Sequence, residues 1–357
     1  MQVGLIGLPQ AGKKTLLRLL TGVDARTIAT NNGGAIPGVC AVRDPRVDRL
    51  AAMYRPNKVT PATIHYLLLP DLTKDSAKNQ ELFKALEKVD VFGVVIRAFD
   101  DDTVFHLDGS VDPLRDIHTM PGELILNDLL FIEKRLERIA KEGARRSAVD
   151  RTKEQALLTK LQAQLNCDLP VRLVPLDAEE AKWLSSAPLL TRKPLLLILN
   201  VGEEAVQDRR LLEDVRGRFV SQGIHAVQVS AKIEEELAQL DDPAEREAFL
   251  KELGITESAI DGLTRASYEA LGLISYFTVG SDEVRAWTVR RGASAQEAGG
   301  AIHSDIERGF IRAEMMSYAD LMSLGSEQAV AGAGRAHLKG KEYVVQDGDI
   351  LNFRFNV

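Results

Sequence analysis

Residues 7–16 read GLPQAGKKTL, close behind the amino-terminal MQVGLI. The stretch carries both glycines and the lysine of the phosphate-loop pattern G-x-x-x-x-G-K-[ST], at Gly7, Gly12 and Lys13. Such a loop works because successive backbone N–H groups and a helix N-terminus converge on a polyphosphate, while the lysine ammonium contacts its outer oxygens. The apolar run QVGLIGL and the leucines at 16, 17, 19 and 20 predict the strand, loop and helix that this geometry needs. Gly7, Pro9, Gln10, Ala11, Gly12, Lys13, Lys14 and Thr15 are therefore the candidate phosphate-binding residues. One position departs from the pattern: Lys14 stands where a Ser or Thr hydroxyl ordinarily binds Mg2+. Thr15 does not simply replace it, because one step along a helix turns a side chain by about 100°. An ammonium at this point either repels the metal or itself supplies positive charge to the β- and γ-phosphates, so Mg2+ as a cofactor is left open.

Further apolar runs follow at 64–71 (IHYLLLPD), 89–99 (VDVFGVVIRAF), 194–201 (PLLLILNV) and 224–231 (IHAVQVSA), separated by helical segments. Short β-branched runs alternating with helices predict an α/β fold, a mostly parallel sheet covered on both faces. Asp71 ends the second run and is the candidate metal-binding carboxylate. In GTPase-like proteins this residue opens D-x-x-G, whose glycine N–H meets the γ-phosphate; here position 74 is lysine. Asn200, Val201 and Glu203 form an N-x-x-E stretch where GTPases carry N-K-x-D, and Ser230 and Ala231 stand where a further base-contacting loop belongs. Replacing that lysine and aspartate weakens guanine selection and makes adenine plausible.

With 357 residues, the chain exceeds the usual size of one hydrophobic core. Charged residues make up 27%, the net charge is −7, and no stretch approaches the roughly 18 apolar residues of a membrane span. No export signal is legible at the amino terminus, and Cys40 and Cys167 lack any C-x-x-C partner. A soluble cytoplasmic monomer without a membrane or a structural zinc site is expected. Ile125, Leu129, Ile132, Leu136 and Ile139, then Leu158, Leu161 and Leu165, give the seam of a helical hairpin. The organisation predicted is a G domain in two parts, 1–118 and 188–272, an inserted hairpin at 119–187, and a small α+β domain at 273–357. Residues 134–160 hold nine Lys or Arg against four Asp or Glu. A solvated helix face explains that excess, and a contact with RNA phosphates is the sharper alternative.

With these residues in place, nearly the whole chain resembles the YchF family, the Obg-like ATPases of the translation-factor-related class of P-loop GTPases. GLPQAGKKTL is similar to the family's G-L-P-N-V-G-K-S-T-L, and DPRVDRLA at 44–51 and NVGE at 200–203 match family landmarks. YFTVGSDEVRAWTVRRGASAQEAGGAIHSDIERGFIRAE and GKEYVVQDGDILNFRFNV resemble the family's TGS domain, a ubiquitin-like β-grasp module. The resemblance implies binding and slow hydrolysis of ATP in preference to GTP, association with the ribosome or its RNA, and links to stress and redox responses. It also implies a catalytic histidine in a loop that His106 matches. The departures fall at the chemistry: Lys14 for the family's serine, Gln10 for its asparagine, and a short connection after Asp71 in place of a long glycine-rich switch.

Three functions follow for weighing. A working ATPase would use Lys13 and the loop amides on the phosphates, Asn200 and Glu203 on adenine, Asp71 on the metal and His106 on water. A nucleotide-binding module that hydrolyses slowly or not at all keeps the ground-state contacts and loses those of the transition state; charge accounting favours this one. A scaffold without nucleotide is the third.

Overall fold

A computed structural model of the chain describes residues 1–30, 34–73, 79–141, 148–255 and 257–356. It falls into two compact units, Met1–Gly38 with His65–Ser267, and Val39–Ile64 with Tyr268–Val357.

A six-stranded sheet runs in the order Ile36–Ala41, Thr63–Leu68, Gln2–Ile6, Val91–Ala98, Leu195–Val201, His225–Val229, and its last four strands lie wholly in the first unit. Gln2–Ile6 runs parallel to both its neighbours, with Gly4 opposite Leu67 on one side and Phe92 on the other. Two further pairings, Val94 with Leu197 and Ile198 with Val227, are parallel as well. Every residue of Leu195–Val201 is buried, so this central strand reads as a continuous apolar run rather than an alternating one. Helices Lys13–Thr21, Gln80–Leu86 and Arg210–Phe219 join the strands, and the core includes Ile6, Phe92, Leu197 and Phe219. Strand order reverses at Gln2–Ile6, and the carboxyl ends beside such a switch point form the usual ligand crevice of an open α/β sheet.

The helical hairpin consists of Pro113–Lys141 and Ala148–Leu165. Ile125, Ile132 and Ile139 meet Leu158, Leu161 and Leu165 in its core, with Leu129 and Leu136 packed at the margin, as their spacing predicted. The first helix begins six residues before position 119, inside the segment assigned to the G domain from sequence. Asp128 ties it to the turn Leu190–Arg192 by accepting from the Leu190 and Thr191 backbone N–H groups at 2.9 and 2.8 Å and from the Thr191 hydroxyl at 2.7 Å.

The second unit is α+β. Its sheet runs His337–Lys339, Phe310–Ser317, Asp349–Phe355, Leu273–Thr278, Glu283–Arg290, Lys58–Thr60. Helix Ala295–Ile302, started by a reciprocal Ser294–Glu297 capping box, buries Ala295 and Ala298 against Tyr276 and Leu351. Residues 39–64, placed by the sequence reading in the first domain, belong to this unit. Val59 pairs with Val284, Arg46 bridges Asp44 and Asp347, and the Tyr54 hydroxyl donates to Glu327 at 2.6 Å. Val284, Asp347 and Glu327 lie more than two hundred residues away along the chain, beyond the reach of any local pattern.

Candidate nucleotide site

The loop between Gln2–Ile6 and Lys13–Thr21 turns on two glycines whose conformations other residues rarely adopt, Gly7 at φ 145° and Gly12 at φ 95°. A Cβ at Gly7 would run into the Val95 carbonyl oxygen, and one at Gly12 into the Asn200 side-chain amide. Gln10 also sits at positive φ, 61°, and is exposed, while Ala11 is buried. Helix Lys13–Thr21 begins without a side-chain cap or an acidic residue in its first turn, leaving its first backbone N–H groups and its positive end open to an anion.

Lys13 is 4% exposed. Its ammonium donates to the carbonyls of Gly7, at 2.9 Å, and Leu8, and pairs with Asp71 at 2.9 Å. Burial pulls its pKa below the ordinary 10.5, and Asp71 opposes that shift without cancelling it. Lys14 is exposed and has no ion pair among the described residues. Thr15 is half-buried on the next helical position.

Asn200 closes the loop from below. Its amide donates to the Ala11 carbonyl at 3.0 Å, and its side-chain oxygen accepts from the Ala231 N–H at 3.1 Å. One buried side chain therefore joins the phosphate loop, the end of strand Leu195–Val201 and the loop at Ser230–Ala231. Val201 is the buried last residue of that strand. Glu203 follows in a short 3-10 turn and pairs with Lys232 at 3.0 Å, which raises the lysine's pKa. Ser230 is buried, and its hydroxyl makes no hydrogen bond among the described residues.

His106 lies to one side of this cluster, 8% exposed. Its Nδ1 accepts from the Asp108 N–H at 3.1 Å, which leaves the proton on Nε2, and Nε2 donates to Asp116 at 3.1 Å. Arg115 donates to the other Asp116 oxygen at 2.9 Å. A cavity of about 10 Å³, near the lower limit for one water, lies between His106, Asp116, Arg97 and the loop residues Gly7–Pro9. Both imidazole nitrogens are thus engaged within the protein, and orienting a water on a nucleotide requires this loop to change its contacts.

The structure brings the phosphate-loop residues, Asp71, Asn200, Val201, Ser230 and Ala231 together at the strand ends; Glu203 stands at their margin, and His106, bonded to Asp116, lines the small cavity beside Gly7–Pro9. Position 74, the sensing glycine of D-x-x-G in relatives, lies outside the described residues.

Residues 273–356 match the family model YchF-GTPase_C, described as a protein of unknown function. The chain is 40% identical over 366 residues to the Ribosome-binding ATPase YchF of Bacillus subtilis (strain 168), covering 100% of both proteins. It belongs to the YchF family. Obg-like ATPase 1 of Caenorhabditis elegans is 36% identical over 372 residues, with 100% of this chain and 92% of that protein covered. The solved structure of the Schizosaccharomyces pombe YchF GTPase superposes with a TM-score of 0.84 at 31% identity, covering 99% of this chain and 97% of that one.

The structural match over nearly the whole chain and the terminal family model are consistent with a P-loop G domain followed by a separate C-terminal domain. The donor set does not furnish the protein side of an ordinary Mg2+ site. Lys14 replaces the hydroxyl, and Asp71 is held on Lys13. Two residues beside this cluster were absent from the sequence reading. Arg97, 3% exposed, donates to the carbonyls of Phe99, Asp101, Val104 and Phe105 and so shapes the loop leading to His106. An arginine inside the apolar run VVIRAF was the available signal. Asp116, the partner of His106, stands in the first turn of the following helix and offered no comparable signal.

Proposed function

We propose that the chain binds a purine nucleotide, ATP in preference to GTP, hydrolyses it slowly or not at all, and acts in association with the ribosome or its RNA. The observation that carries this reading is the asymmetry of the loop. The ground-state loop keeps its residues at Gly7, Gly12, Lys13 and Asn200, whereas the position that should offer a hydroxyl offers the exposed ammonium of Lys14. A lost transition-state contact costs typically about 3 kcal/mol, or roughly 10²-fold in rate. The engagement of both His106 nitrogens supports the same reading. Lys14 adds positive charge beside the open helix end, so nucleotide binding suffers less than turnover.

The adenine preference is supported by Glu203, which is turned onto Lys232 rather than presented as a bare carboxylate to the two N–H donors of guanine. Ribosome association is supported by the relatives, named ribosome-binding ATPases, and by the basic excess of 134–160. Part of that excess is neutralised internally, since Arg135 pairs with Glu154, Lys153 with Glu179 and Lys160 with Glu180. Arg145 and Arg146 lie outside the described residues. The relatives' designation as ATPases favours a second reading, in which this chain too is an active ATP hydrolase.

Calorimetric titration with non-hydrolysable ATP and GTP analogues tests the binding claim. Tighter binding of the ATP analogue, lost in Lys13→Ala, is the expected result; no heat with either analogue would leave a P-loop scaffold.

A further inference from the structure

An ammonium has three N–H donors, and all three of Lys13 are used inside the protein. Two go to the backbone carbonyls of Gly7 and Leu8, and the third goes to Asp71. A polyphosphate that engages Lys13 must therefore displace one of them. The carbonyls belong to the loop itself, whose glycine conformations fix their direction. Asp71 is different: its side chain is 47% exposed, and it lies beyond the end of strand Thr63–Leu68, outside any helix or strand. It can swing away, and its carboxylate carries the same kind of charge as the incoming ligand.

We propose that Asp71 is an internal occupant of the phosphate site, competing with metal-free polyphosphate for Lys13. The inference rests on reading this loop as a nucleotide site and names what that site discriminates against: an anion that arrives without a cation to neutralise Asp71. The exposed Lys14 provides the first contact for such a ligand, and Lys13 becomes available only once Asp71 has left. This role is distinct from that of a simple metal ligand, because it acts in the absence of any metal.

The test compares wild type with Asp71→Asn, which keeps the shape and removes the charge at a half-exposed position. Affinity for the non-hydrolysable ATP analogue is measured by calorimetry in mildly acidic buffer, where the ammonium is charged, first with chelator and then with Mg2+. Competition predicts that the variant binds about five- to tenfold more tightly than wild type in chelator, the gain expected from releasing a partly screened pair. Unchanged or weaker binding by the variant in chelator overturns the proposal, and a variant that loses affinity only when Mg2+ is present makes Asp71 a metal ligand alone. Absence of binding by both proteins under both conditions overturns the nucleotide-site reading itself. Asp71→Ser, measured alongside, must show the same direction of change if the carboxylate charge is what matters.

Discussion

Asn200 shows how much one side chain can hold in place. It satisfies the Ala11 carbonyl and the Ala231 N–H at once, both in the buried floor of the loop. Asn200→Ala leaves both groups unpaired and should cost about 2–4 kcal/mol in denaturant unfolding, with loss of ATP-analogue binding. Unchanged stability would show that the bridge is not formed in solution. Lys13 makes a second prediction, with two opposite signs. Its folded-state pKa lies below the unfolded 10.5, so between those values the unfolded chain holds more protons and stability rises with pH. Phosphate affinity falls across the same window as the ammonium is lost. Titrations and melts that move together with pH would contradict this. At this scale the turns at Gly7 and Gly12 were legible, since the motif encodes positive-φ positions that glycine meets without strain. The engagement of Asp71 with Lys13, and of His106 with Asp116, was not legible. Each depends on which rotamer a residue takes once distant segments are assembled.

The loop between strand Val91–Ala98 and helix Pro113–Lys141 is organised by Arg97, a buried cation that donates to four carbonyls and stacks on Phe99 at 4.7 Å. Arg97→Met should release that loop, raising amide exchange across 99–106 well above that of the neighbouring strand and costing about 2–4 kcal/mol. Equal protection before and after the change would mean that the loop holds itself. Asp128 plays the equivalent part for the hairpin, and Asp128→Ala should destabilise the chain by about 2–4 kcal/mol by stranding two buried N–H groups. Among the elements, five strands of the first sheet and the two long helices were legible because burial on both faces, or along one stripe, writes itself into the apolar pattern, whereas Ile36–Ala41 was not read as a strand. The strand Lys58–Thr60 was not. It is three residues long, two of them exposed, and its place is fixed by pairing with Glu283–Arg290.

For the whole molecule, the sequence order of elements conveyed an α/β domain, a helical insertion and a terminal α+β domain, while the assignment of Val39–Ile64 to the second compact unit came only from the structure. Its cause is a small set of long-range contacts, Arg46 with Asp347 and Tyr54 with Glu327 among them. The function proposed above rests on a balance between a retained phosphate loop and an altered residue at position 14. That balance is tested most directly by single-turnover ATP hydrolysis in wild type and Lys14→Ser, with Lys13→Ala as the background. Restoring the hydroxyl should raise the rate about tenfold or more, since contacts of this kind are worth up to roughly 10²-fold. A wild-type rate already at the ordinary enzymatic level of about 1 s⁻¹ or above, unmoved or slowed by Lys14→Ser, would contradict it.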